Sequence, residues 1–173
     1  MGKEWAMPTW VFLHAWAAHI PPQQYALQKA DILKNVKDIC ANLPCPMCAQ
    51  HATAYMSAVQ LSALPTVEDF KRMLWHFHNT VNIRIKKPFF RYDGMATYNK
   101  LNLSYLYMVF IRHFSTREPN MKMMLDGMHR TAAVHRLKKW FSANLHWKPH
   151  QVGPNAKPSP SAGGHPHARD VRI

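Results

Sequence analysis

Prolines constrain this chain more than any other residue type. A proline inside a helix forfeits a backbone hydrogen bond and clashes with the preceding turn, so it marks a helix boundary or a first turn. Pro8, Pro21-Pro22, Pro44, Pro46, Pro65 and Pro88 divide residues 1–93 into four stretches. Their apolar residues recur at helical spacing, and strand-like alternation is nearly absent. The first stretch runs from Pro8-Thr9 to Ile20, and the second from Gln23 to Asn42 with Leu27, Ile32, Leu33, Val36 and Ile39 in register. The third opens at Cys45-Pro46 and passes through Tyr55 and Met56. The fourth runs from Thr66 to about Ile85 and starts with a capping-box pattern, Thr66-Val67-Glu68-Asp69. Four helices joined by short links predict a compact antiparallel bundle.

Beyond Asp93 the pattern weakens. Leu101 to Phe114 is apolar and is expected to be helical because its neighbours are. Met121 to Leu145 is expected to be a helix with Met124, Leu125, Met128, Ala132, Leu137 and Phe141 on one side and Arg130, Arg136, Lys138 and Lys139 largely elsewhere. Residues 149–173 hold five prolines and three glycines with no apolar period, which predicts a disordered tail. The expected organisation is therefore all-α: a bundle over 1–93, an appended basic, mostly helical region over 94–148, and the tail over 149–173.

Composition narrows the class. With 173 residues, 47% hydrophobic and 18% charged, the chain is long and apolar enough to bury a core. Its formal charge of +13 raises the question of an anionic partner, but the excess is uneven: 10 basic and 6 acidic residues in 1–93, against 12 and 3 in 94–173. Three cysteines do not make a disulfide-stapled scaffold, and the N-terminus lacks the pattern of a signal peptide. The longest apolar runs, Trp10 to Ile20 and Leu101 to Ile111, reach about half the ~20 residues that cross a bilayer, so no membrane span is expected.

Cys45-Pro46-Met47-Cys48 at a predicted helix start is the most informative local motif. Sulfurs three residues apart on a first turn come within disulfide reach, and the free backbone N–H groups there stabilise a thiolate. The same pair also suits half of a zinc site, for which His51, His76 and His78 are the only near partners, or two small buried residues. The absence of βαβ units argues against a thioredoxin, and Ala49 after Cys48 argues against haem attachment.

On the fourth helix Trp75, His78, Asn79 and Asn82 follow one another at i, i+3, i+4 and i+7, placing an indole, an imidazole and two amides along one stripe. Leu74, Phe77, Val81 and Ile85 form the adjoining apolar stripe. Polar groups at the edge of a buried face must find partners, either within the core or on a planar hydrogen-bonding ligand such as a heteroaromatic cofactor. Trp10 and His14 repeat the aromatic-plus-imidazole pairing on the first helix.

Together these segments resemble the FAD-linked sulfhydryl oxidases of the Erv/ALR family, its small viral members in particular. The resemblance rests on Trp10-x-x-Leu13-His14, Leu43-Pro44-Cys45-Pro46-Met47-Cys48-Ala49-Gln50-His51, Trp75-His76-Phe77-His78-Asn79-Thr80-Val81-Asn82 and Lys86-Lys87-Pro88-Phe89-Phe90, over roughly residues 5–92. It implies a four-helix bundle with a short fifth helix across it, holding FAD against the CxxC pair. Carried over by position, Trp10, His14, Cys48, His51, Trp75, His78, Asn79, Val81, Asn82, Lys86 and Lys87 become cofactor contacts. Cys45 becomes the outer sulfur that meets the substrate thiol, and Cys48 the inner sulfur that passes electrons to FAD and on to dioxygen. A homodimer in host cytoplasm or a virion, acting on a thiol-containing protein substrate or partner redox protein, belongs to the same implication.

Two departures stand out. Many cellular relatives carry a disulfide pinning the segment after the fourth helix, and here Tyr92 stands near the expected cysteine, which leaves packing of Phe89, Phe90 and Tyr92 or the C-terminal half to hold it. No shuttle CxxC flanks the motif, so a substrate must bring its own thiols to Cys45. Cys40 falls on the apolar side of the second helix and is expected in the core. Lys122, Arg130, Arg136, Lys138 and Lys139 with Trp140 suggest either a solvated helix face, which is favoured, or a contact with nucleic acid or an acidic virion component. The competing functional classes are a zinc-stabilised non-enzymatic module and a basic scaffold binder.

Overall fold

A computed structural model describes residues 4–115 and 124–144. The tail expected over 149–173, and Lys122 with it, lies outside the described residues. All regular structure among them is helical: α1 (Ala6–His19), α2 (Pro22–Ala41), α3 (Pro46–Ala58), α4 (Val67–Arg84), α5 (Leu103–Phe114) and α6 (Met124–Asn144), with 3₁₀ turns at Leu61–Ala63 and Tyr92–Lys100. No described helix is long and apolar enough to cross a membrane.

The helix starts follow local chemistry. Pro22 and Pro46 occupy first-turn positions, where the missing N–H would have had no partner in any case. Thr66 Oγ1 accepts from Asp69 N at 3.2 Å while Thr66 N donates to Asp69 Oδ2 at 3.0 Å, a reciprocal capping box. Asn102 caps α5 through its Oδ1, which accepts from Tyr105 N at 3.0 Å. α4 ends in a Schellman arrangement: Lys87 N donates to Asn82 O at 2.8 Å and Lys86 N to Ile83 O at 3.1 Å, with Lys86 in the left-handed region at φ 55°.

α1 is the hub. It packs against α4 on one side and against α5 and the 92–100 turn on others, while α2 holds α3 and α6. That explains why α1 is apolar around its whole circumference rather than along one stripe. Phe12, fully buried, stacks on Phe110 of α5 with ring centres 4.5 Å apart, and lies 5.7 Å from Tyr107 and 5.8 Å from Phe141 of α6. α5 and α6 thus share one core with the four N-terminal helices.

Three packing expectations change. On α2, Leu27 is 87% exposed, and Tyr25 is buried in its place, donating its hydroxyl to Leu64 O at 3.1 Å. On α4, Ile85 is exposed because the helix ends one residue before it, whereas His78, Asn79 and Asn82 are fully covered. On α6 the inward face is Arg130, Ala133, Val134, Leu137 and Phe141, with Met128 and Ala132 outside. Arg130 turns inward because its Nε donates to Asn42 O at 3.0 Å, completing the C-terminal end of α2 while its stem packs as an apolar chain. Arg136 reaches the same helix through Asp38, 3.0 Å away.

Candidate active site

Cys45 is the N-cap of α3, and its Sγ accepts from Cys48 N at 3.3 Å. The two cysteines are joined in a disulfide with Cα atoms 5.1 Å apart. The helix start explains both features: one turn brings the sulfurs together, and the unpaired N–H groups of that turn favour a thiolate when the bond opens.

Behind the disulfide lies a cavity of about 650 Å³. Cys48 is in its wall and Cys45 is not, so the pair has an inner and an outer sulfur. α1 contributes Trp10 and Leu13, the end of α2 contributes Cys40 and Leu43, and α3 adds Ala52 beyond Cys48. α4 supplies Phe77, Val81 and Asn82, and the mouth carries Arg84, Lys87 and Pro88. The volume and the mostly apolar lining suit a small-molecule or cofactor chamber.

Asn82 is 1% exposed, and neither its amide nitrogen nor its amide oxygen has a protein partner. Leaving both buried and unmet costs roughly 1–3 kcal/mol each, which a ligand offering a donor and an acceptor side by side removes. Next to the cavity, Trp10 lies flat on His78 with ring centres 4.1 Å apart and planes 6° from parallel. His78 Nδ1 and His14 Nε2 share a hydrogen bond of 2.9 Å, leaving His78 Nε2 and His14 Nδ1 without protein partners. Burial lowers the pKa of both histidines; His78 lowers His14 further, and the Lys87 cation lowers His78 further, to about 4. Both are neutral at pH 7, so each ring offers one donor and one acceptor nitrogen.

The sequence-derived site residues fall into three groups. Trp10, Cys48, Val81, Asn82 and Lys87 line the cavity, with His14 and His78 directly behind Trp10. Trp75 and Asn79 are turned to the backbone of Phe90: Trp75 Nε1 and Asn79 Nδ2 donate to Phe90 O at 2.7 and 3.0 Å, and Phe90 N donates to Asn79 Oδ1 at 2.8 Å. His51 and Lys86 are exposed, one turn beyond Cys48 and at the end of α4 respectively. Sequence reasoning missed Arg84, whose signal was its place in the cationic run Arg84, Lys86, Lys87 at a helix end. It also missed Phe90 as an anchor, for which no side-chain pattern exists because the contacts are to backbone. Cys40 is core, as expected, and also forms part of the cavity wall; burial pushes its thiol up to about 12, so it stays protonated.

A disulfide at a helix start, with one sulfur facing an apolar chamber that ends in unmet amide groups, defines a dithiol redox centre built on a helical bundle. Comparison with known proteins gives the family. The Erv1/Alr family pattern matches residues 7–101, and the chain belongs to that family. It is 34% identical over 82 residues to the FAD-linked sulfhydryl oxidase ERV1 of Arabidopsis thaliana, covering 47% of this chain and 42% of the plant protein. It is 31% identical over 83 residues to the FAD-linked sulfhydryl oxidase of African swine fever virus, isolate Pig/Kenya/KEN-50/1950, covering 48% and 69%. It is 30% identical over 90 residues to the putative FAD-linked sulfhydryl oxidase 347L of Invertebrate iridescent virus 6, covering 49% and 81%. The chain thus spans less than half of the plant relative and over two thirds of the viral ones. No solved structure matches it.

Proposed function

We propose that the protein is an FAD-dependent thiol oxidase that forms disulfides in protein substrates and delivers the electrons to dioxygen. The observation that carries this reading is the disulfide whose inner sulfur, Cys48, sits in the wall of the cavity shared with the unmet amide of Asn82. The donor set fits FAD: an apolar slot for a planar ring system, an amide and two neutral imidazoles for its heteroatoms, and Arg84 and Lys87 at the mouth for its diphosphate. Trp10, His14, His78, Val81, Asn82 and Lys87 would hold it.

Each step at the cysteines is a thiol exchange. A substrate thiolate attacks Sγ of Cys45, the Cys45–Cys48 bond breaks, and Cys48 leaves as a thiolate favoured by the α3 N-terminus. The second substrate thiol attacks the mixed disulfide, so the substrate departs oxidised and the Cys45–Cys48 pair holds two electrons. When bound, FAD supplies the acceptor for those electrons and the donor to dioxygen, which leaves as hydrogen peroxide. Neutral His14 and His78 bind and orient here and are not general bases. The substrate must carry its own reactive cysteine pair, because the chain has three cysteines and Cys40 is buried and protonated.

The zinc-module alternative has less support, since Cys45 and Cys48 are bonded to each other and no metal-binding cluster occurs among the described residues. An absorption spectrum of the purified protein, followed by oxygen consumption with a dithiol, tests the proposal. Oxidised flavin bands and peroxide formation are expected, and Cys48→Ser is expected to abolish turnover while retaining flavin. Stoichiometric zinc without flavin, or normal peroxide production by Cys48→Ser, would overturn it.

A further inference from the structure

We propose that Trp75 and Asn79 are positioning residues: with Tyr92 and Gly94 they clamp the segment after α4 onto the bundle, and so hold the cavity mouth without a structural disulfide. Three observations converge on Phe90. Its backbone N–H and C=O are both taken by the one side chain of Asn79, and the C=O accepts a second bond from the Trp75 indole. Its ring lies 5.3 Å from His78 and 5.7 Å from His14. A Cβ on Gly94 would stand 2.8 Å from that ring, so any larger residue there would push the Phe90 ring out of its place. Tyr92 finishes the clamp: its ring meets Trp75 edge-on at 5.4 Å, Arg72 lies over it at 4.8 Å, and its hydroxyl donates to Glu68 on α4.

The segment so held contains Lys87 and Pro88, which form part of the cavity mouth; residues 85–89 are exposed, and Phe89 meets the Trp75 ring edge-on at 5.4 Å, which adds to the clasp at its C-terminal end. Their position is therefore set from the two ends, by the Schellman turn at Lys86 and by the Phe90 clasp. No cysteine lies in the segment, and among the described residues the only disulfide is the Cys45–Cys48 pair, which in the proposed function the substrate reduces. A mouth held by hydrogen bonds and rings keeps its shape when that pair opens and when the solvent is reducing.

The test uses Trp75→Phe, which keeps the ring and removes one donor, and Asn79→Asp, which keeps the shape and removes the other. Trypsin digestion of the protein as purified reads cleavage after Arg84, Lys86 and Arg91. Losing one hydrogen bond raises the open population roughly fivefold, so cleavage is expected to accelerate about fivefold in Trp75→Phe and at least as much in Asn79→Asp. Wild-type cleavage is expected to change less than twofold in a phosphine reductant. A second arm, which rests on the proposed FAD site, measures flavin release by fluorescence; faster release is expected in both variants. Cleavage within twofold of wild type in both variants overturns the proposal. So does faster flavin release without faster cleavage, which would make Trp75 and Asn79 direct cofactor contacts. So does wild-type cleavage that accelerates more than fivefold on reduction. Absence of flavin in the wild type would sink the oxidase reading and leave the proteolysis result standing.

Discussion

Replacing Phe110 by alanine tests whether the helices beyond the family match are part of the fold or an attachment to it. Phe110 lies on α5, is 0% exposed, stacks on Phe12 at 4.5 Å and meets Phe114 at a tilt with ring centres 4.9 Å apart, and so joins the hub helix to the C-terminal half. Truncating a fully enclosed phenylalanine removes its transfer free energy and leaves a cavity that a rigid aromatic cluster cannot collapse into, which costs about 3–5 kcal/mol. Against a typical total of about 5–15 kcal/mol that is a large fraction, and at about 2–4 °C per kcal/mol it lowers Tm by roughly 6–20 °C. The assay is thermal and urea unfolding followed by circular dichroism and by tryptophan fluorescence, with Tyr105→Ala as control. Tyr105 is on the same helix but 52% exposed, so its loss is expected to cost about 0.5 kcal/mol or less. If α5 and α6 belong to one cooperative unit, Phe110→Ala shifts a single transition seen by both probes. A second transition in the wild type, or a loss under ~1 kcal/mol in Phe110→Ala, refutes the shared core.

Other consequences can be measured on the same material. Lys86 holds the left-handed C-terminal position of α4, which costs a non-glycine residue about 1 kcal/mol, so Lys86→Gly is expected to raise stability by roughly that amount in urea titration. Arg130→Ala is expected to cost about 1.5–3 kcal/mol, because it leaves Asn42 O without its charged donor at the end of α2; Arg130→Lys should recover only part of that loss. His14 and His78 have folded pKa values below the ordinary 6.5, so the unfolded chain binds more protons in acid. Their contribution is complete above pH ~6.5 and falls with pH below it, by up to ~1.4 kcal/mol per histidine per pH unit until the folded values are reached. A Tm that is flat between pH 7 and 5, measured without cofactor, would contradict the buried neutral pair.

The helix boundaries were legible because they are local. Pro22, Pro46 and the Thr66–Asp69 box act within one turn, and a turn is readable from a handful of residues. Packing partners were less legible. Hydropathy places Leu27 inside and Arg130 outside, yet Leu27 faces solvent and Arg130 completes the end of a helix 88 residues away in sequence. The short fifth helix implied by the family resemblance is the 92–100 turn packed on α1, but side-chain spacing alone did not place it, because its buried residues, Met95 and Tyr98, repeat at three, the period of a 3₁₀ helix, rather than at the α-helical spacing. In the site the redox pair and the amide stripe were readable, since their chemistry resides in side chains at fixed spacing. The use made of that stripe was not: Asn82 faces the cavity while Asn79, three residues earlier, is spent on the backbone of Phe90.

The charge of the C-terminal half can now be divided by what the arginines touch. Arg130 is buried against Asn42, and Arg136 is paired with Asp38, so two of the four Lys and Arg residues of α6 tie that helix to α2. Lys138 and Lys139 remain exposed on it, a short pair rather than a continuous stripe. A polyanion reader needs several cations aligned on a free face, whereas this helix commits its most rigid cations to holding the fold. The surplus that first suggested nucleic acid therefore contributes, over α6, to fastening the C-terminal helices onto α2. Those helices in turn cover flanks of α1 and α2, leaving the α4 side of α1, with Trp10 and Leu13, to line the cavity behind the disulfide.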